Sequence, residues 1–124
     1  MKIAICDDLQ EERTILRAAL EQFFLLENIR GEILEYSSGE ALLADFTPGK
    51  FHLMFLDVYM DGITGIETAE KLKQQDPDCL LVFTTTSVAH GADAFDVDAF
   101  HYLVKPLDMD KLYAVLRRWK KLLS

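Results

Sequence analysis

Five short apolar runs, each followed by a stretch with helical spacing, set the tightest limit on how this chain can fold. They are Lys2 to Cys6, Glu32 to Tyr36, Phe51 to Val58, Cys79 to Thr85 and Phe100 to Val104. The central runs are almost continuously apolar instead of alternating, which is the pattern of strands covered on both faces. Strands of that kind pair in parallel, and parallel neighbours need the crossovers that the intervening helical stretches supply. The expectation is an α/β fold, a doubly wound five-stranded parallel sheet with helices on both faces.

The connecting stretches carry their own signals. Asp8 stands where it could cap the first helix, in which Ile15, Leu16, Ala19, Leu20 and Phe23 recur at helical spacing through Phe24. Acids flank Ile33 and Leu34 in the second run, as in an edge strand. Ser38 suits the cap of a short helix running to Phe46, closed by Pro48 and Gly49. Gly62 and Gly65 bracket a loop from which Ile66, Ala69 and Leu72 start a third helix that Asp76 and Pro77 stop. Ala89, Ala92, Ala94 and Phe95 mark a weaker helix that contains Gly91. Leu112, Val115, Leu116, Trp119, Leu122 and Leu123 mark one face of a last helix. Arg117, Arg118, Lys120 and Lys121 lie late in it, where cations suit the helix dipole, and they read either as a solvated end or as a dimer or interdomain contact.

At 124 residues the chain is the size of one domain, 1–124, large enough to bury a core without disulfides or a structural metal. No apolar run approaches the ~20 residues of a bilayer span, and Met1 leads directly into a strand pattern. The cytoplasm is therefore the expected location, with no membrane partner. A formal net charge of -8, from 13 basic and 21 acidic residues, argues against this chain holding nucleic-acid phosphates itself. Cys6 and Cys79 are far apart and lack any zinc-ligand spacing, so they read as reduced core thiols on non-adjacent strands. His52, His90 and His101 are isolated and read as surface or strand-end residues.

In doubly wound sheets, functional groups gather beyond the carboxyl ends of the strands. Asp7 and Asp8 follow the first strand, Asp57 ends the third, Thr85 ends the fourth and Lys105 follows the fifth. Asp8 or Thr85 taken singly could be a helix cap, but three acids, a hydroxyl and an amine at one edge form a constellation. Clustered carboxylates raise one another's pKa values unless a divalent cation sits among them. Hard oxygen donors without a cysteine or a placed histidine suit Mg2+. A carboxylate beside Mg2+ can attack phosphorus and form an aspartyl phosphate, with the metal and a lysine offsetting charge on the equatorial oxygens. A hydroxyl such as that of Thr85 could then hydrogen-bond the new phosphoryl group.

The segments IAICDD, LDVYMDGITGIE, VFTTTS and YLVKP together resemble the receiver domain of two-component response regulators over the whole chain. The resemblance implies a flavodoxin-like (βα)5 fold with strand order 2-1-3-4-5. It implies that Asp57 is the phosphoacceptor and that Asp7 and Asp8 form the acidic metal-binding pair, Asp8 being the direct ligand. The backbone carbonyl of Tyr59 falls where the family supplies a third protein ligand to Mg2+. Thr85 matches the switch hydroxyl, chosen over Thr84 and Thr86 by counting back from Tyr102 and Lys105. Lys105 matches the lysine that contacts the phosphoryl group, with a cis bond to Pro106, and Tyr102 matches the aromatic switch residue.

The activity so implied is a phosphorylation-controlled switch. A sensor histidine kinase donates the phosphoryl group, the receiver catalyses only its own transfer and dephosphorylation, and the chain is not otherwise an enzyme. The surface of the fourth helix, fifth strand and fifth helix then changes, where family members dimerise or contact effectors. The wording KIAICDD, DVYMDGITGIE and YLVKP is most similar to receivers of LytTR-class transcriptional regulators, in which a DNA-binding domain follows. The expectation is thus a receiver excised from such a protein, the alternative being a stand-alone receiver, with a homodimer able to form on phosphorylation and DNA reached only through a C-terminal domain outside this chain.

Two residues depart from the family pattern. Asp61 stands where receivers often carry proline, as an extra acid near the site, and Thr86 stands where a small residue is usual. The bulk of Thr86 beside the phosphoryl position predicts slower attack by water. Three other readings fit less of the pattern. A phosphatase of the haloacid-dehalogenase type would want an acid where Tyr59 stands, and a flavin-binding module would want a phosphate loop in place of Asp7 and Asp8. A docking module that is never phosphorylated would have no use for the complete acid, hydroxyl and lysine set.

Overall fold

The structure is a computed structural model that describes residues 1–86 and 91–123. Strands β1 (Lys2–Cys6), β2 (Glu32–Tyr36), β3 (Leu53–Asp57), β4 (Leu81–Thr85) and β5 (His101–Val104) form one parallel sheet in the order β2-β1-β3-β4-β5. Between and after them run α1 (Gln10–Leu26), α2 (Gly39–Asp45), α3 (Gly65–Gln75), α4 (Gly91–Asp96) and α5 (Met109–Leu122). The fold class and strand order are those expected. Ala89 and His90, which the sequence placed in or near the fourth helix, lie outside the described residues.

Successive strand residues point to opposite faces, and this alternation builds two cores. Ile3, Ile5, Leu53, Phe55, Val82 and Leu103 pack under α1 and α5, meeting Leu16, Leu20, Phe23, Leu116 and Trp119. Ala4, Cys6, Met54, Leu56, Leu81 and Phe83 face the other way, against Leu42 of α2, Leu72 of α3 and Ala94 of α4. Both β3 and β4 are buried at every position, which is why their sequences do not alternate. Each fully buried leucine or phenylalanine contributes about 1.5–3 kcal/mol, so the ends of these strands are held firmly in place.

Local chemistry sets most helix ends. The Ser38 hydroxyl accepts from the Ala41 amide, as its position suggested. Thr64 and Glu67 form a reciprocal capping box at the start of α3, and Asp108 accepts from the Asp110 and Lys111 amides at the start of α5. Asp8 does not cap α1: Leu9 holds the cap position, and it is Asp7 Oδ1 that accepts the Leu9 amide, at 3.0 Å. The acid one residue earlier sits in the Asx geometry that reaches two residues on.

Other differences concern where elements end. α1 continues past Phe24 to Leu26, and Ile15, Leu25, Leu26, Phe95, Leu122 and Leu123 are exposed. Helical spacing locates an apolar stripe, but the sheet beneath decides how far along the helix that stripe is covered. Phe51, Val58 and Cys79 are buried without belonging to the sheet. Both cysteines are free and buried, and burial raises both thiols, Cys6 to about 12. Among the described residues no helix is long and apolar enough to cross a membrane.

Polar ties secure one edge of the sheet and its base. Edge strand β2 is clamped to α1 through Glu35, which accepts from Arg13 Nε at 3.2 Å and Arg17 Nε at 2.6 Å, while Arg17 Nη2 donates to the Ile33 carbonyl at 2.8 Å. At the base, Trp119 Nε1 donates to the His52 carbonyl at 3.2 Å, and His52 Nδ1 accepts the Lys2 amide at 3.0 Å.

Candidate phosphoacceptor and metal site

The parallel topology delivers each polar residue to the same edge. The ladder of β1 continues one step beyond Cys6, because the Asp7 amide donates to the Tyr36 carbonyl at 3.0 Å. Asp57 is the last residue of β3 and Thr85 the last of β4. Lys105 follows β5, and its amide donates to the Thr85 carbonyl at 2.6 Å. The Lys105–Pro106 bond is cis, as the resemblance implied.

Carboxylate oxygens of Asp7, Asp8 and Asp57 lie within 4.8 Å of one another. Lys105 Nζ reaches over them, 2.6 Å from Asp7 Oδ2 and 3.7 Å from Asp57 Oδ2. Asp7, Asp57 and the Lys105 side chain are buried, whereas Asp8 is partly exposed and accepts the Asp61 amide on Oδ2 at 3.3 Å.

Burial dominates the electrostatics. Loss of water lifts the Asp57 pKa from 3.8 to about 6; nearby Lys105 pulls it down, Asp7 pushes it up, a backbone hydrogen bond from Tyr59 pulls it down and Asp8 adds a further upward push. For Lys105, burial disfavours the ammonium, but the hydrogen bond to Asp7 and the charges of Asp57, Asp7 and Glu12 outweigh it, leaving the pKa raised. The lysine is therefore a fixed positive charge among acids.

The loop after β3 closes tightly over Asp57. A Cβ on Gly65 would overlap the Asp57 carbonyl, and the Gly65 amide donates to the Val58 carbonyl at 2.9 Å. Only glycine permits that approach. Met60 in the same loop receives the Cys6 thiol at 3.6 Å.

Of the residues singled out in the sequence, Asp7, Asp8, Asp57 and Lys105 meet through their side chains. Thr85 joins them through its backbone link to Lys105 and is fully buried beside the equally enclosed Thr84, while Thr86 is exposed. Tyr59 is half exposed in the loop, with its backbone bonded to the Asp57 carboxylate. Tyr102 is half-buried, its ring 6.4 Å from that of Phe83, and Asp61 is exposed. Two residues were missed. Glu12 Oε2 stands 3.8 Å from Lys105 Nζ, and Arg13 Nη1 donates to the Asp7 carbonyl at 2.6 Å. Both lie in the first turns of α1, which starts over this edge, so their place next to Asp7 and Asp8 was the available signal.

Three carboxylates facing one ammonium leave an excess of negative charge. Among the described residues the cluster holds oxygen donors only. That donor set fits a small, hard divalent cation such as Mg2+.

The sequence matches the response regulator receiver domain family over residues 3–117. Among curated relatives, the sensory transduction protein LytT of Oceanobacillus iheyensis is 33% identical over 100% of this chain and 50% of its own length. LytT of Bacillus subtilis is 31% identical over 98% of this chain and 48% of its own length. The chain thus spans about half the length of the curated relatives it matches. Among solved structures, the response regulator protein TrrA of Thermotoga maritima, in complex with Mg(2+)-BeF, superposes with a TM-score of 0.82 at 26% identity, covering 95% of this chain and 97% of that one. The response regulatory domain of mrkE from Klebsiella pneumoniae has the same fold, with a TM-score of 0.86 at 23% identity over 98% and 97% of the two chains. With a family match over nearly its full length and that family's fold beneath an acidic strand edge, the chain belongs to the response regulator receiver domains.

Proposed function

We propose that the chain is a phosphorylation-controlled switch in which Asp57 accepts a phosphoryl group from the phosphohistidine of a sensor histidine kinase. The observation that carries this is the placement of buried Asp57 within 4.8 Å of Asp7 and Asp8 oxygens and 3.7 Å from Lys105 Nζ. An Asp57 carboxylate oxygen attacks phosphorus, the new O–P bond forms as the P–N bond to the donor imidazole breaks, and the electron pair returns to that nitrogen. Asp7, Asp8, Asp57 and the Tyr59 carbonyl would hold Mg2+, Asp8 being the most open of the three acids. When bound, Mg2+ supplies positive charge that offsets the carboxylates and the phosphoryl oxygens.

The chain's own groups do the rest. Lys105 turns from Asp7 towards the modified Asp57, the Thr85 hydroxyl hydrogen-bonds the phosphoryl group, and Tyr102 follows by changing rotamer against Phe83. Charge added at one buried carboxyl thereby biases the surface of α4, β5 and α5, on which a homodimer forms. Thr86, exposed next to Thr85, slows attack by water on the acyl phosphate. The setting is cytoplasmic, and the chain turns over no substrate but its own phosphoryl group. The output is transcription, through a DNA-binding domain in the half of the LytT-like protein that this chain does not span.

Incubation with a small phosphodonor, or with beryllofluoride and Mg2+, tests the reading against Asp57→Asn. The parent should gain one acid-labile phosphate or bind beryllofluoride, and the variant should do neither. A parent that does neither is a docking module instead, and the switch reading is lost.

A further inference from the structure

The core face of α1 runs through Leu16, Ala19, Leu20, Phe23 and Phe24. One turn nearer its N-terminus the same stripe lands on Glu12, a carboxylate where an inward position ordinarily carries an apolar side chain. The helix dipole alone does not account for it, because Glu11 is in the same first turn and fully available on the exposed side. What Glu12 faces is Lys105: Oε2 and Nζ are 3.8 Å apart, and 33% of the Glu12 side chain is exposed.

Lys105 Nζ thus has three carboxylates around it, Asp7 at 2.6 Å, Asp57 at 3.7 Å and Glu12 at 3.8 Å, of which only the first is at hydrogen-bond distance. Asp7 and Asp57 belong to the cluster that would hold a cation, and Glu12 stands outside it. We infer that Glu12 is a positioning residue that holds Lys105 back from an anion arriving on Asp57 and so sets the balance between cation and anion occupancy of the site. The inference rests on the phosphoacceptor reading of Asp57.

Charge sign makes the role testable. A carboxylate beside Lys105 attracts a cation to the site and repels an anion, so neutralising it must move the two affinities in opposite directions. Loss of structure would weaken both together. The comparison is of the parent chain, Glu12→Gln and Glu12→Asp, titrated first with Mg2+ alone and then with beryllofluoride at saturating Mg2+. Glu12→Gln should bind Mg2+ about two- to fivefold more weakly and beryllofluoride about two- to fivefold more tightly, the scale of a partly exposed charge pair. Glu12→Asp should stay with the parent in both titrations, and the differences should shrink at high salt. Unchanged affinities in Glu12→Gln, or weakening for both ligands, overturn the role of Glu12 alone. A parent that fails to bind beryllofluoride overturns the phosphoacceptor reading, and the role of Glu12 goes with it.

Discussion

Asp57 is a carboxylate ending a strand that is buried at every position, and that burial makes it sensitive to pH as well as to modification. Its pKa of about 6 means that the folded protein keeps a proton that the unfolded chain has already released near 3.8. The group's contribution to stability is therefore greatest when protonated, below the unfolded value, and is lost as pH rises through the folded one. In metal-free buffer near pH 8, Asp57→Asn should be more stable than the parent by about 1–3 kcal/mol, with the gap closing towards about pH 4. Urea midpoints followed by circular dichroism across that range check this, and equal midpoints near pH 8 would contradict it. Asp57, Asp7, Asp8 and Lys105 were legible in the sequence because each sits at the end of an apolar run. Glu12 was not, because a search for helical stripes looks for apolar residues and passes over an acid that continues one.

At the scale of elements, the central strands β1, β3 and β4 were legible because parallel strands covered on both faces must be apolar at nearly every position. Their ends were less so: Phe51, Val58 and Cys79 are as buried as strand residues, yet no ladder includes them. Burial and backbone pairing are separate demands, and an apolar run reports only the first. The same distinction explains β2, an edge strand whose Glu32 is exposed and whose attachment to α1 depends on Glu35 between Arg13 and Arg17. That carboxylate is partly exposed, so its pairs are screened, and Glu35→Gln should cost about 1 kcal/mol. Hydrogen exchange should quicken in β2 while β3 and β4 keep their protection. Faster exchange spread evenly over the sheet would show that the clamp is not local.

For the whole molecule, strand order could not be read from periodicity, since any arrangement of five parallel strands satisfies the same pattern. It came from the resemblance to receivers, and the topology then brings Lys105 to 2.6 Å from Asp7 across a separation of 98 residues. The opposite end of the sheet has its own tie, between Trp119 and the residue just before β3. Trp119 is the chain's single tryptophan and is fully enclosed, so the molecule carries one built-in optical reporter, attached to its base and not to its acidic edge. Its emission should be blue-shifted in the native protein and move red on unfolding. Adding Mg2+ to folded protein should leave it unchanged, and a large response would mean that the two ends of the sheet communicate. Tryptophan light from this receiver therefore follows the fold, and the arrival of metal at the acidic edge leaves it undisturbed.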